Sequence, residues 1–278
     1  MKTFLDKNII NKRFYIDSRN TKENSVFICI KGRNNDGHKF AKNILKNFNK
    51  TIVVCEKNSK HVRSFNRNRD NRVLFCNSTR NFLTKMAQIK RLILKDNFFV
   101  GITGSSGKTS LKEILYKTLN KYKPTYKSQK SFNNDIGLPI TLINQKYNSK
   151  FNIYEIGMNK LGEIDNLSKI LKPNLGVITN IGEAHLGKLG NVNNIVKAKA
   201  EIIGNIVENG VIILNRDCKY FEKLKKISKL KKLKILSFGY NSRATISYKI
   251  INFQTIQIKF KKNFFNLELA NINSNNIK

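Results

Sequence analysis

One short stretch constrains this chain more than any other: Thr103-Gly104-Ser105-Ser106-Gly107-Lys108-Thr109-Ser110. It follows the apolar run Phe98-Phe99-Val100-Gly101-Ile102 and precedes a helical pattern from Leu111 to Leu119. Strand, glycine loop, lysine, hydroxyl and helix, in that order, cradle a nucleotide phosphate. Glycines let backbone N–H groups close on phosphate oxygens, and the helix N-terminus adds partial positive charge. Lys108 is expected to reach the outer phosphates and the Thr109 hydroxyl to bind Mg²⁺, with Gly104 through Ser110 forming the cradle. The strict spacing asks for glycine at position 102, where this chain has Ile102, so only the second half of the general pattern is met. A plain Gly-Ser turn with a surface lysine explains less, because strand, loop and helix all fall where phosphate binding needs them.

Such a loop belongs to α/β proteins, and the rest of the chain agrees. Arg13–Ile16, Val26–Ile30, Thr51–Cys55 and Val73–Cys76 read as strands, Phe40–Asn47 and Arg80–Leu94 as helices, and residues 56–71 as a polar loop. Beyond the phosphate loop, apolar runs at Phe151–Ile156, Leu175–Ile181, Val211–Leu214 and Ile235–Phe238 alternate with helical patterns. That alternation predicts a mostly parallel sheet covered by helices. The last part, Thr245–Phe253, Thr255–Phe260 and Phe264–Leu269, reads as antiparallel hairpins. The expected organisation is a small mixed α/β domain over residues 1–78 and a P-loop domain over 79–278.

The 278 residues carry a formal net charge of +35. The lysines spread over the whole chain instead of forming a stripe, and Asn, Lys and Ile abound while Trp is absent. An AT-rich genome accounts for this better than a selected nucleic-acid surface. The densest basic run, residues 223–234, has interleaved apolar residues and reads as an exposed helix face entering a strand. No run approaches the roughly 18 apolar residues of a membrane helix, and the N-terminus has no apolar signal region. Four cysteines (Cys29, Cys55, Cys76, Cys218) lack metal spacing and read as free thiols in a reducing, cytoplasmic compartment.

In an open α/β sheet, ligands bind beyond the carboxyl ends of the strands. Glu155 ends one apolar run, His185 follows another by a short loop, and Asn133-Asn134-Asp135 precede Ile136-Gly137-Leu138-Pro139. Carboxylate, imidazole and hydroxyl together suit an Mg²⁺ shell. By itself His185 would more often be structural, whereas an apolar-flanked carboxylate such as Glu155 is more suggestive.

These segments, taken in order with Gly157-Met158-Asn159, Gly162-Glu163-Ile164, Thr179-Asn180-Ile181-Gly182-Glu183-Ala184-His185 and Lys197-Ala198-Lys199-Ala200-Glu201, resemble the Mur ligase family. Asp17-Ser18-Arg19 and Gly32 to Phe40 agree with it. Ser105-Ser106, and Gly157-Met158 with Gly162-Glu163-Ile164, resemble its MurF-type branch, which adds D-alanyl-D-alanine to UDP-N-acetylmuramoyl-tripeptide. The resemblance implies an ATP-dependent ligase of peptidoglycan synthesis, using Mg²⁺ and acting as a cytoplasmic monomer through an acyl phosphate. It implies that Thr109 and Glu155 hold one Mg²⁺ and His185 a second. It places Asn134 near the reacting carboxylate, makes Lys199 a carbamylated lysine, and sets Ser18 and Arg19 against the UDP moiety. Lys197 would point to a different helix face.

Family members continue past this length into a third domain. The resemblance therefore implies a chain incomplete at its C-terminal end, with Asn271–Asn276 as a worn copy of a Gly-x-His-Asn stretch and a separately encoded C-terminal domain as a partner. Two rival readings remain open at this point. One is a catalytically impaired remnant, or half of a split ligase, that binds only ATP and UDP-precursor. The other is a basic P-loop protein that binds nucleic acid.

Overall fold

A computed structural model describes residues 7–32, 34–63, 65, 70–129, 132–184 and 186–268. In chain order the first elements are α1 (Lys7–Ile10), β1 (Phe14–Tyr15), β2 (Val26–Ile28), α2 (Ala41–Asn47), β3 (Ile52–Glu56), β4 (Val73–Cys76) and α3 (Thr79–Ile93). Next come β5 (Phe98–Thr103), α4 (Lys108–Leu119), β6 (Thr125–Lys127), α5 (Gly137–Ile143), β7 (Phe151–Glu155), α6 (Glu163–Leu171) and β8 (Leu175–Ile178). The remainder is α7 (Leu186–Leu189), α8 (Val192–Gly204), β9 (Val211–Asn215), α9 (Phe221–Leu230), β10 (Lys234–Gly239), β11 (Ile246–Asn252), β12 (Thr255–Phe260) and β13 (Asn263–Glu268).

The chain forms two compact units, Met1–Asp96 with Asp135–Asn148, and Asn97–Asn134 with Ser149–Lys278. The sequence reading put the boundary at 78/79; α3 instead packs within the first unit. Its apolar stripe explains why: Leu83 and Met86 share one core with Val26, Ile28 and Val54 of the first sheet and with Ile140 and Ile143 of α5. Ser78 caps this helix, its hydroxyl accepting from the Asn81 N–H at 3.3 Å.

The first unit holds four strands in the order β1-β2-β3-β4, all parallel. Alternate residues of β2 and β3 serve opposite faces. Val26, Ile28 and Val54 face α3 and α5, while Phe27, Val53 and Cys55 pack with Ala41 and Ile44 of α2. Burial on both faces is why these strands read as unbroken apolar runs. His38 ties the β2–α2 connection to β3. Its Nε2 accepts from the Glu56 N–H at 2.9 Å, so the proton sits on Nδ1 and is donated to Asp36 at 2.6 Å.

The second unit is a nine-stranded sheet, β13-β12-β11-β10-β9-β8-β5-β7-β6. From β6 to β11 every pair is parallel; β11, β12 and β13 form the expected antiparallel meander, joined to the parallel sheet through β10. Leu111, Leu115, Tyr116 and Leu119 of α4 cover Val100, Ile102, Ile153 and Val177. The basic run lies as expected on α9, which buries Phe221, Leu224 and Ser228. After β5 the chain adds β6 and β7 on one side, then crosses to β8 and β9 on the other. The carboxyl end of β5 is therefore the topological switch point of the sheet, the place where such folds open a ligand crevice. Among the described residues no helix is long and apolar enough to cross a membrane.

Candidate functional site

The phosphate loop springs from that switch point. At Gly104 the backbone has φ 151°, and a Cβ there would lie 1.8 Å from Thr179 Oγ1, so only glycine fits. Gly107 is the left-handed N-cap of α4, at φ 77°. α4 begins at Lys108, whose ammonium reaches back across the loop and donates to the Gly104 carbonyl at 3.0 Å.

One residue on, Thr109 Oγ1 donates to Glu155 Oε2 at 2.7 Å. Glu155 is the last residue of β7, in register with Ile102 of β5, which sets its side chain behind the loop. It is 3% exposed. Its other oxygen, Oε1, accepts from Asn133 Nδ2 at 2.8 Å. Asn133 is held in turn: its carbonyl accepts from the Gly157 N–H at 2.9 Å, and a Cβ on Gly157 would come within 2.8 Å of its carboxamide. Lys112, on the next turn of α4 and fully buried, stands 3.9 Å from Glu155 Oε2 and 3.8 Å from Glu113 Oε1. A buried carboxylate is costly unless hydrogen-bonded and charge-compensated, and Glu155 is both.

Lys199 on α8 is 1% exposed, whereas Lys197 faces solvent. The two lysines thus occupy different helix faces, as the sequence spacing predicts. Burial, with the positive charge of Lys108 adding to it, pulls the Lys199 ammonium down to about 7.

Other predicted residues are placed as follows. Asn134 and Ser110 are exposed, next to residues that touch Glu155. His185 lies outside the described residues, as does Asn271–Asn276. In the first unit, Asp17 caps the turn Ser18–Asn20 and takes the Arg19 guanidinium on both oxygens, at 2.9 and 2.7 Å. That pairing holds the Asp17 carboxyl below its ordinary value. Arg19 itself is exposed. The same unit has a cavity of about 670 Å³ between β4 and α3, lined by Leu74, Cys76, Phe82, Met86 and Ile89 among others; neither Ser18 nor Arg19 lines it.

Among the described residues no three His, Cys, Asp or Glu side chains converge as a metal site. A hydroxyl and one carboxylate nonetheless suit Mg²⁺, which keeps several waters and takes the rest of its shell from phosphate oxygens. Two further observations fit a bound nucleotide. Thr103 Oγ1, buried at the mouth of the loop, has no hydrogen-bond partner among the described residues. Among the described residues, a Cβ built on Gly107 meets nothing within 4 Å, so space is open beside the helix start.

The family model for the Mur ligase middle domain matches residues 102–278. The chain belongs to the Mur ligase family. It is 36% identical over 241 residues to the UDP-N-acetylmuramoyl-tripeptide--D-alanyl-D-alanine ligase of Rickettsia prowazekii, covering 86% of this chain and 51% of that one. Among solved structures it is similar to MurF from Acinetobacter baumannii, with TM-score 0.82 and 27% identity over 92% of this chain and 55% of the other. MurF from Thermotoga maritima in complex with ADP matches equally, with TM-score 0.82 and 27% identity over 94% of this chain and 59% of the other. The chain thus spans about half the length of the curated relatives it matches.

The resemblance gives Asn134 a place near the reacting carboxylate, and assigns no role to its neighbour Asn133, whose side chain is the one on Glu155. Adjacent asparagines in a loop carry no periodicity to separate them. Lys112 was also missed, since nothing in Leu111-Lys112-Glu113 marks a lysine for burial. Thr179 and Asn180 were seen only as part of a Mur ligase motif, without a role.

Proposed function

We propose that the chain acts as an ATP-dependent ligase of peptidoglycan precursor synthesis, adding D-alanyl-D-alanine to UDP-N-acetylmuramoyl-tripeptide in the cytoplasm. The observation that carries the reading is the Thr109–Glu155 hydrogen bond at 2.7 Å, which joins the helix start of the phosphate loop to a buried carboxylate on the neighbouring strand. That pair is the oxygen donor set an Mg–nucleotide needs, at the place where a P-loop presents it.

In this reading the N–H groups at the start of α4 and the Lys108 ammonium hold the outer phosphates of ATP. Thr109 and Glu155 would hold one metal ion, with His185 on a second, and Asn133 and Lys112 keep the Glu155 carboxylate in place. When bound, Mg²⁺ neutralises charge on the phosphoryl group being transferred. The terminal carboxylate of the tripeptide attacks the γ-phosphorus, and ADP leaves with the bonding electrons. The D-alanyl-D-alanine amine then attacks the acyl carbon, loses a proton, and expels inorganic phosphate. Lys199, its ammonium lowered to about 7 by burial, yields the neutral, nucleophilic amine far more readily than a surface lysine and so could take up CO₂ as a carbamate. The carbamate would turn this position from cation to anion. Asn134 stands at the exposed rim beside Asn133, where the reacting carboxylate would approach, and Ser18 and Arg19 would contact the UDP moiety.

Two measurements on the purified 278-residue chain test this. Mg–ATP binding by calorimetry, lost in Lys108→Ala, tests the nucleotide site; no binding at millimolar ATP would remove it. Hydroxylamine trapping tests the chemistry, because an acyl phosphate yields a hydroxamate of the UDP-precursor. A hydroxamate that forms with the tripeptide precursor and ATP, but not without either, supports the substrate assignment. Equal hydroxamate from precursors lacking the third residue would overturn it.

A further inference from the structure

The front half of the phosphate loop does not stand alone. It is sewn to the segment that leaves β8, at residues 179–182. Asn180 Oδ1 accepts from two successive backbone N–H groups, Ser105 at 3.0 Å and Ser106 at 2.9 Å. Its Nδ2 donates to Ser106 Oγ at 2.6 Å, and its main-chain carbonyl accepts from the Ser105 N–H at 3.1 Å. Thr179 Oγ1 donates to the Ser106 carbonyl at 2.6 Å. Ser105 Oγ donates to the Gly182 carbonyl at 3.1 Å and accepts the Gly182 N–H at 2.9 Å. Thr103 and Ile178 are register partners, so both segments leave adjacent strands at the same level of the sheet.

We propose that Asn180 is a positioning residue for nucleotide phosphate, acting through the loop and not by touching the reacting atoms. The inference rests on the nucleotide reading given above. A glycine-containing loop is permissive, and each free residue costs conformational entropy to order when phosphate arrives. Asn180 removes that cost in advance. One carboxamide satisfies two donors and one acceptor of Ser105 and Ser106, which fixes the path of the loop into Gly107. The Ser105 and Ser106 N–H groups are thereby committed, leaving Gly107, Lys108 and Thr109 at the helix start to meet the phosphates. Preorganisation of this kind raises affinity without adding a contact to the ligand. Asn180 is half-buried and its partners are polar loop atoms, so its removal loosens the loop and leaves the sheet core untouched.

The test compares wild type, Asn180→Ala and Asn180→Asp in the 278-residue chain. Amide hydrogen exchange of Ser105 and Ser106 is read without ligand, and binding of adenosine, ADP and Mg–ATP is read by calorimetry. In Asn180→Ala, exchange is expected to speed up chiefly at Ser106, because the Ser105 N–H keeps the main-chain carbonyl of residue 180 as acceptor, and Mg–ATP to bind roughly tenfold or more weakly, the scale of the lost side-chain hydrogen bonds. The loss should grow from adenosine to ADP to ATP, which a merely structural role would not produce. Asn180→Asp keeps an oxygen for both N–H groups, so exchange should stay slow. Its charge beside the cradle should still weaken ATP more than ADP, by an amount that shrinks with salt. Unchanged exchange in Asn180→Ala overturns the proposal whatever the nucleotide does. Equal losses for all three ligands overturn it as well. If wild type binds no nucleotide, the ligase reading fails, and positioning of phosphate fails with it; if wild type binds and Asn180→Ala binds equally, only the present proposal fails.

Discussion

Gly104→Ala should be the most damaging single-methyl change in this protein's phosphate loop. The added Cβ would sit 1.8 Å from Thr179 Oγ1, 3.1 Å from Thr179 Cβ and 3.2 Å from the Asn180 nitrogen. Ordinary contact is about 3.5 Å, so the loop and the β8 end must part by roughly 1.5 Å. Thr179 cannot rotate away freely, because its hydroxyl holds the Ser106 carbonyl. A misplacement of about 1 Å at a positioned site costs on the order of 10²-fold. Mg–ATP affinity should therefore fall about a hundredfold in Gly104→Ala. Thr179→Ala alone should cost about three- to tenfold, from one hydrogen bond. In the double variant the 1.8 Å overlap disappears while the 3.1 Å approach to the residue 179 Cβ and the 3.2 Å approach to the Asn180 nitrogen remain, so binding should recover about tenfold relative to Gly104→Ala. Gly107→Ala is the control: its φ of 77° is unfavourable for alanine, but a Cβ there touches nothing among the described residues. In the protein without ligand it should cost only the left-handed strain, about 1–2 kcal/mol, which thermal unfolding reads. Calorimetric titration of the other three variants with Mg–ATP reads the rest. Wild-type affinity in Gly104→Ala, or no recovery in the double variant, would refute the steric account.

Three further outcomes are expected. Asn133→Ala should weaken the Mg²⁺ dependence of nucleotide binding by about 10–100-fold, the usual effect of losing a group that orients a metal ligand, and Glu155→Gln should weaken it more; binding measured in excess chelator should change little in either. Lys199, with its folded value lowered to about 7, binds fewer protons folded than unfolded between about pH 7 and its ordinary value near 10.5. Stability should therefore rise with pH across that window, and Lys199→Met should flatten the rise; thermal unfolding from pH 6 to 10 in CO₂-free buffer checks the sign. Cys29 and Cys55 are fully buried with their sulfurs 3.6 Å apart, and their mutual hydrogen bond and burial push the Cys29 thiol up. Cys76 is pushed up to about 11 by burial. A thiol-reactive disulfide reagent should thus modify Cys218 first and reach Cys29 and Cys55 only on unfolding, as peptide mapping over time would show.

What the sequence discloses and what it conceals follow from how far apart the interacting residues lie. The strand, loop and helix around residues 98–119 are contiguous, so their signal is local and complete. Glu155 stands out because a carboxylate at the end of an apolar run is rare without a partner. The partners themselves come from distant segments, Asn133 from the loop before α5 and Thr179 and Asn180 from the end of β8, and no local pattern announces which atom each will meet. The domain boundary escapes for the same reason: α3 joins the first unit through Ile140 and Ile143 of α5, a helix inserted between two strands of the second.

The lysines carry the lesson furthest. With 53 Lys and Arg residues spread along the chain, charge alone marks none of them. Folding does, because an ammonium resists leaving water unless something compensates it. In the second unit, among the described residues, Lys112 and Lys199 are the buried basic side chains, and both sit around the phosphate loop. Lys112 is set against two carboxylates, one of them Glu155. Lys199 instead yields its proton easily, with Lys108 as the second cause of that shift. Lys112 is thus matched by carboxylates and Lys199 readily sheds its charge, which leaves the Lys108 ammonium, resting on the Gly104 carbonyl, as the cation the loop presents, and the outer phosphates of a polyphosphate are the kind of group it suits. Composition diluted that signal among dozens of exposed lysines; burial recovers it.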